Sequence, residues 1–131
     1  VEIALRRAKV KTILIVDDHD RIRELVAVTL GDIGEYQILE AENGEMGVAK
    51  ARECKPDLIF MDVTMPGKYD GLDATRILKE DPETHDIHII MLTAKGQVAD
   101  KIEGKNAGAD GYFVKPFSPI ALIQRVENVL E

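Results

Sequence analysis

A chain of 131 residues, 45% hydrophobic and 31% charged, holds enough apolar material for one buried core and is too short for two. That balance excludes a disordered chain, and no apolar run is long enough to cross a bilayer, so the expectation is a cytoplasmic protein without membrane association. A formal charge of −7 argues against direct nucleic-acid binding by this domain, because grip on a phosphate backbone rests on clustered Lys and Arg.

Residues 1–10, which carry Arg6, Arg7 and Lys9, read as an N-terminal extension or linker. Thr12-Ile13-Leu14-Ile15-Val16 is a nearly continuous apolar run and predicts a strand buried on both faces. Ile22, Leu25, Val26, Thr29, Leu30 and Ile33 then recur at helical spacing, and Gly31 and Gly34 mark the exit. Tyr36 to Ala41 predicts a second strand, and Asn43-Gly44 turns the chain into a helix over Glu45 to Glu53, ended by Pro56. The lone Cys54 falls in this apolar-periodic stretch and is expected to be a small core residue. Asp57 to Met61 predicts the third strand, and Leu72, Ala74, Thr75, Ile77 and Leu78 form a third helical stripe. Ile87 to Leu92 predicts the fourth strand, followed by Val98, Ile102 and Ala107 at looser helical spacing. Tyr112-Phe113-Val114 predicts a short fifth strand, and Leu122, Ile123, Val126, Val129 and Leu130 a last helix, capped by Ser118-Pro119. Strict alternation of this kind implies an α/β fold, with right-handed crossovers and helices on both faces of a parallel sheet.

In open parallel sheets ligands bind beyond the carboxyl ends of the strands, which directs attention to the residues there. The first strand runs into Asp17-Asp18, the third into Asp62, the fourth into Thr93 and the fifth into Lys115. Glu42, after the second strand, is left outside the site. Each residue alone has a plain reading: Asp17-Asp18 and Asp20 as helix caps, Asp62 as a turn acid, Thr93-Ala94 as a cap of the fourth helix, Lys115 as a surface charge. Together they place three carboxylates, a hydroxyl and an ammonium at one sheet edge. Mutually repelling carboxylates are relieved by a hard divalent cation with oxygen ligands, which points to Mg²⁺ (with Mn²⁺ as a substitute) on Asp17, Asp18, Asp62 and the Thr64 carbonyl. Phosphoryl transfer is mostly positioning and charge neutralisation, so Asp62 can attack in line while Lys115 and Thr93 hold phosphoryl oxygens.

These residues resemble the receiver domain of two-component response regulators, the single-domain chemotaxis regulator type being the simplest form. The resemblance runs from Lys11 to Leu130 and is carried by Ile13 to Asp18, Asp57 to Pro66, Leu92-Thr93-Ala94 and Ala107 to Phe117. It implies a receiver domain over 11–131 with a doubly wound, flavodoxin-like (βα)5 sheet of strand order 2-1-3-4-5. It also implies phosphorylation of Asp62 by a sensor histidine kinase, a phosphotransfer protein or a small phosphodonor, in a protein that catalyses only its own phosphorylation and dephosphorylation. Thr93 and Tyr112 would form the switch pair, Tyr112 turning inward as Thr93 closes on the phosphate. The peptide between Lys115 and Pro116 would be cis. Thr64 and Lys95 would tune the lifetime of the phosphoryl group. The fourth helix, fifth strand and fifth helix would form the output face for an effector, a target protein or a homodimer, with Asp100, Lys101 and Arg125 among its charges. The chain departs from the family pattern in Met65-Pro66-Gly67-Lys68-Tyr69-Asp70-Gly71, which is one residue longer than the usual loop.

Two other functions use the same parts. An aspartyl-phosphoenzyme phosphatase expects a second acid two residues after the nucleophile, where this chain has Thr64, and an inserted cap segment, for which there is no sequence. A non-phosphorylated interaction module of the same fold would normally lack an acid, the hydroxyl or the lysine, and all are present. His19 is read as an exposed helix-start residue rather than a metal ligand.

Overall fold

Residues 10–32, 36–94 and 98–131 are described by the computed structural model. Most of the extension 1–10, together with Ile33, Gly34 and Lys95, therefore lies outside the described residues. The elements alternate as β1 Lys11–Val16, α1 Asp20–Asp32, β2 Tyr36–Ala41, α2 Gly44–Cys54 and β3 Leu58–Asp62, then α3 Gly71–Glu80, β4 His88–Ala94, α4 Val98–Ala107, β5 Gly111–Lys115 and α5 Pro119–Leu130. The five strands pair in parallel in the order β2-β1-β3-β4-β5, the doubly wound topology expected.

Period two along each strand sorts the core into two layers. On one face Ile13, Ile15, Leu58, Phe60, Ile90 and Leu92 pack under Val26 and Leu30 of α1 and Leu122 and Val126 of α5. On the other, Leu14, Val16, Ile59, Met61, Ile89 and Met91 pack under residues of α2, α3 and α4. All five residues of β3 are buried, as a central strand covered on both faces requires. Each fully buried Ile, Leu or Phe there contributes about 1.5–3 kcal/mol against an exposed reference.

Local chemistry sets the helix starts. Asn43 accepts from the Met46 amide at 2.8 Å, and Ser118 accepts from the Ala121 amide at 3.1 Å with Pro119 in the first turn. Asp70 and Asp73 close a reciprocal capping box at α3. At α1 the His19 carbonyl begins the ladder by accepting from Ile22 and Arg23, so Asp20 is a first-turn acid rather than the cap.

Several boundaries differ from expectation, and at the ends of β3 and β4 the reason is that backbone pairing continues past the end of an apolar run. Strand β3 starts at Leu58 and includes Asp62, and β4 includes Thr93 and Ala94, so these residues end a strand and do not cap α4. Asp57 stays outside β3, its amide donating to the Thr12 carbonyl and its carboxylate accepting from the Thr12 amide. Cys54 is exposed, because α2 buries Gly44, Gly47, Val48 and Ala51 and its last turn adds nothing to that face.

Candidate functional site

Strand periodicity brings three charged groups to one side of the sheet. Asp17 continues the alternation of Ile13 and Ile15, Asp62 that of Leu58 and Phe60, and Lys115 that of Phe113, all facing α1 and α5. The Lys115 ammonium donates to Asp17 Oδ2 at 2.9 Å and to Asp62 Oδ1 at 3.1 Å, tying the ends of three strands together. Asp17 is fully buried, and its Oδ1 accepts from the His19 amide at 2.9 Å.

The electrostatics follow from this crowding. Burial and then the neighbouring Asp17 charge push the Asp62 carboxyl up to about 6, against the opposing pull of Lys115. For Lys115, burial works to lower the pKa, but the hydrogen bond to Asp17 and the charges of Asp62 and Asp17 outweigh it and raise it overall. Asp62 thus keeps substantial carboxylate character near neutrality while Lys115 stays charged.

Beside these groups opens a cleft of about 530 Å³, lined by Asp18, His19, Asp62, the loop from Val63 to Pro66, Leu92, Ala94 and Lys115. Asp18 Oδ1 is buried without a hydrogen-bond donor among the described residues. The His19 Nδ1 lies 3.2 Å from it but is not aligned to donate, whereas the same nitrogen pairs with Asp17 Oδ1 at 3.1 Å. One ligand atom from each of Asp17, Asp18, His19 and Asp62 falls within 4.8 Å of the others. Three carboxylates, one with an orphaned oxygen, form a donor set that fits a hard divalent cation such as Mg²⁺. Thr64 lines the cleft from the loop directly after Asp62.

Thr93 and Tyr112 are placed differently. Both follow the parity of Met91, on the face covered by α2, α3 and α4. Thr93 stands one residue beyond Leu92, the β4 partner of Asp62, and its buried Oγ1 has no hydrogen-bond partner among the described residues. Tyr112 points away from the cleft, 44% exposed, with the Lys101 ammonium 4.8 Å from its ring centroid. The Lys115–Pro116 peptide is cis. Glu42 is exposed and does not line the cleft.

Arg23 escaped the sequence reading, whereas His19 stands exposed at the helix start as expected and also meets the acids. His19, although 65% exposed, belongs to the acidic cluster. Arg23 donates from Nη1 to the Asp17 carbonyl at 2.6 Å and from Nε to Glu40 at 3.2 Å, and pairs with Asp20, which fixes the backbone from which Asp17 projects. Its one signal was a cation a turn into a helix that starts with an acid.

The family model described as response regulator receiver domain matches residues 13–127. The chain is 52% identical over 120 residues to the phosphate regulon transcriptional regulatory protein PhoB of Pseudomonas aeruginosa, covering 92% of this chain and 52% of that protein. Protein PilH of the same organism is 44% identical over 118 residues, covering 90% of this chain and 96% of PilH. The chain thus spans about half the length of PhoB and nearly all of PilH. A putative response regulator from Chloroflexus aurantiacus superposes with a TM-score of 0.87 at 38% identity, covering 93% of this chain and 98% of that one. The Vibrio cholerae chemotaxis protein CheY4 gives 0.84 at 36% identity, covering 92% and 98%. With its sheet order, its strand-end acids and lysine, and a family match over most of its length, the chain belongs to the response regulator receiver domain family.

Proposed function

We propose that this chain, as a receiver unit over residues 11–131, is a phosphorylation-controlled signalling switch whose acceptor is Asp62. The observation that carries the reading is the Lys115 ammonium bridging Asp17 and Asp62 at the mouth of an open cleft. A carboxylate raised to about 6 is still mostly ionised at neutral pH and is a better nucleophile than an ordinary one.

In the proposed step an oxygen of Asp62 attacks the phosphorus of a phosphohistidine on a kinase or phosphotransfer protein, or of a small acyl phosphate. The new P–O bond forms as the bond to the donor's nitrogen or oxygen breaks, and the donor leaves with that electron pair. Lys115 holds a phosphoryl oxygen, moving little from its present place between Asp17 and Asp62. Asp17, Asp18, Asp62 and the Thr64 carbonyl would hold Mg²⁺ (or Mn²⁺), which supplies charge neutralisation for the transferred group. Hydrolysis of the acyl phosphate returns Asp62, with Thr64 and Lys95 setting access for water.

The readout proposed is a movement of Thr93 towards the phosphoryl group, which gives its orphaned hydroxyl a partner, followed by inward rotation of Tyr112. That change would alter the face of α4, β5 and α5, including Lys101, Arg125 and the neighbouring Asp100, for an effector, a target or a second copy. The unit itself is not proposed to bind nucleic acid or a membrane, and among the described residues no helix is long and apolar enough to cross one. Borohydride reduction of acetyl-phosphate-treated protein tests the assignment, because an aspartyl phosphate is converted to homoserine. The reading requires homoserine at position 62, and homoserine elsewhere or nowhere refutes it.

A further inference from the structure

The loop between Asp62 and α3 is the part of the site that departs from the family pattern, and its tip is not free. Its base is closed by the Gly71 amide donating to the Val63 carbonyl at 2.9 Å. There the backbone packs so tightly that a Cβ on Gly71 would lie 1.8 Å from the Asp62 carbonyl oxygen. The tip touches the start of α2. Glu45 Oε1 accepts from the Lys68 amide at 2.8 Å. Gly67 turns the chain there with φ +105, a conformation that suits glycine, and a Cβ on it would sit 3.1 Å from the same Glu45 oxygen. Gly44 admits the loop from the other side, since a Cβ on it would lie 2.6 Å from the Tyr69 carbonyl oxygen.

Thr64, Met65 and Pro66 therefore run between two further holds, the closed base and the Glu45 contact, with the Met65 side chain buried in the core between them. Of the two, only the Glu45 contact depends on a side chain, and it comes from another element, 23 positions earlier in sequence. We infer that Glu45 is a positioning residue for the phosphorylation site: by accepting the Lys68 amide it pins the lengthened loop and presents the Thr64 carbonyl to the cation held by the acids. This rests on the reading of the cleft as a Mg²⁺-dependent phosphorylation site. The added residue is accommodated by the Gly67 turn, and the loop keeps its order through a carboxylate on α2.

The hydrogen bond is made by an oxygen acceptor, and Gln can supply one without the charge. This separates pinning from simple electrostatic attraction of the cation. The variants are Glu45→Ala and Glu45→Gln, measured by amide hydrogen exchange at Lys68 and by calorimetric titration with Mg²⁺. Glu45 is exposed, so neither variant endangers folding, and thermal melts provide the control. Glu45→Ala should speed exchange at Lys68 and weaken Mg²⁺ binding by about three- to tenfold, the range expected for one lost hydrogen bond. Glu45→Gln should keep both close to the parent. Equal Mg²⁺ affinity in all three proteins, or Gln behaving like Ala, overturns the inference. Failure of the parent itself to bind Mg²⁺ overturns instead the functional reading on which it rests.

Discussion

Lys115 and Asp62 stand 3.1 Å apart at the ends of β5 and β3, and the same ammonium reaches Asp17 at 2.9 Å. A single cation thus compensates two carboxylates that are nearly or fully buried. Removing one partner of such a group leaves uncompensated charge, which is where the cost arises.

Lys115→Met should therefore destabilise the protein in metal-free buffer at pH 8 by about 2–3 kcal/mol, with part of the loss recovered on adding Mg²⁺. Urea unfolding followed by circular dichroism measures both. A loss that Mg²⁺ does not reduce would mean that the lysine acts through packing alone.

The raised pKa of Asp62 gives a stability effect of defined sign. Its folded-state value, about 6, lies above the ordinary 3.8, so the folded protein binds that proton more tightly than the unfolded chain does. The resulting stability is fully present below about pH 4 and is lost as pH rises through about 6. Asp62→Asn does not titrate, so in metal-free buffer it should exceed the parent by about 2–3 kcal/mol at pH 8. That advantage should shrink as pH falls through 6. Paired urea midpoints from pH 4 to pH 8 give the curve, and an advantage independent of pH would contradict the assignment.

Thr93 has a buried hydroxyl without a partner among the described residues, a cost carried by the unmodified protein. Thr93→Val keeps the shape and removes that polar group, so it should stabilise the unmodified protein by about 1 kcal/mol. The same change should leave phosphorylation possible but reduce the amide NMR shift changes it causes at Tyr112 and in α4. A destabilised Thr93→Val would show that the hydroxyl is already satisfied.

Glycines 71 and 31 make a matched pair. A Cβ at Gly71 meets the Asp62 and Val63 backbone, whereas one at Gly31 in α1 meets nothing within 4 Å among the described residues. Gly71→Ala should cost about 3 kcal/mol through backbone displacement beneath the site. Gly31→Ala should add about 0.5 kcal/mol through helix propensity. Thermal melts of the two variants, moving in opposite directions, provide the check.

Much of this architecture could be read from the chain because its signals are local. Ile13 to Val16 and Leu58 to Met61 are unbroken apolar runs, and period two carries Asp17 and Asp62 to the same face without knowledge of tertiary contacts. The end of β4 was not legible, since backbone pairing through Thr93 and Ala94 is indifferent to side-chain polarity. His19 is the exposed helix-start residue that the sequence suggested, but nothing local reveals that its ring also meets two carboxylates. The contact of Glu45 with Lys68 and the grip of Arg23 on the Asp17 carbonyl join different elements, and a periodicity argument has no access to them.

The central claim, that Asp62 accepts a phosphoryl group with the help of a divalent cation, is tested most directly by intact mass spectrometry after incubation with acetyl phosphate. The parent should gain the mass of one phosphoryl group with Mg²⁺ and none with EDTA, and Asp62→Asn should gain none in either. Equal modification of parent and variant, or no modification of the parent with Mg²⁺ present, would contradict the account.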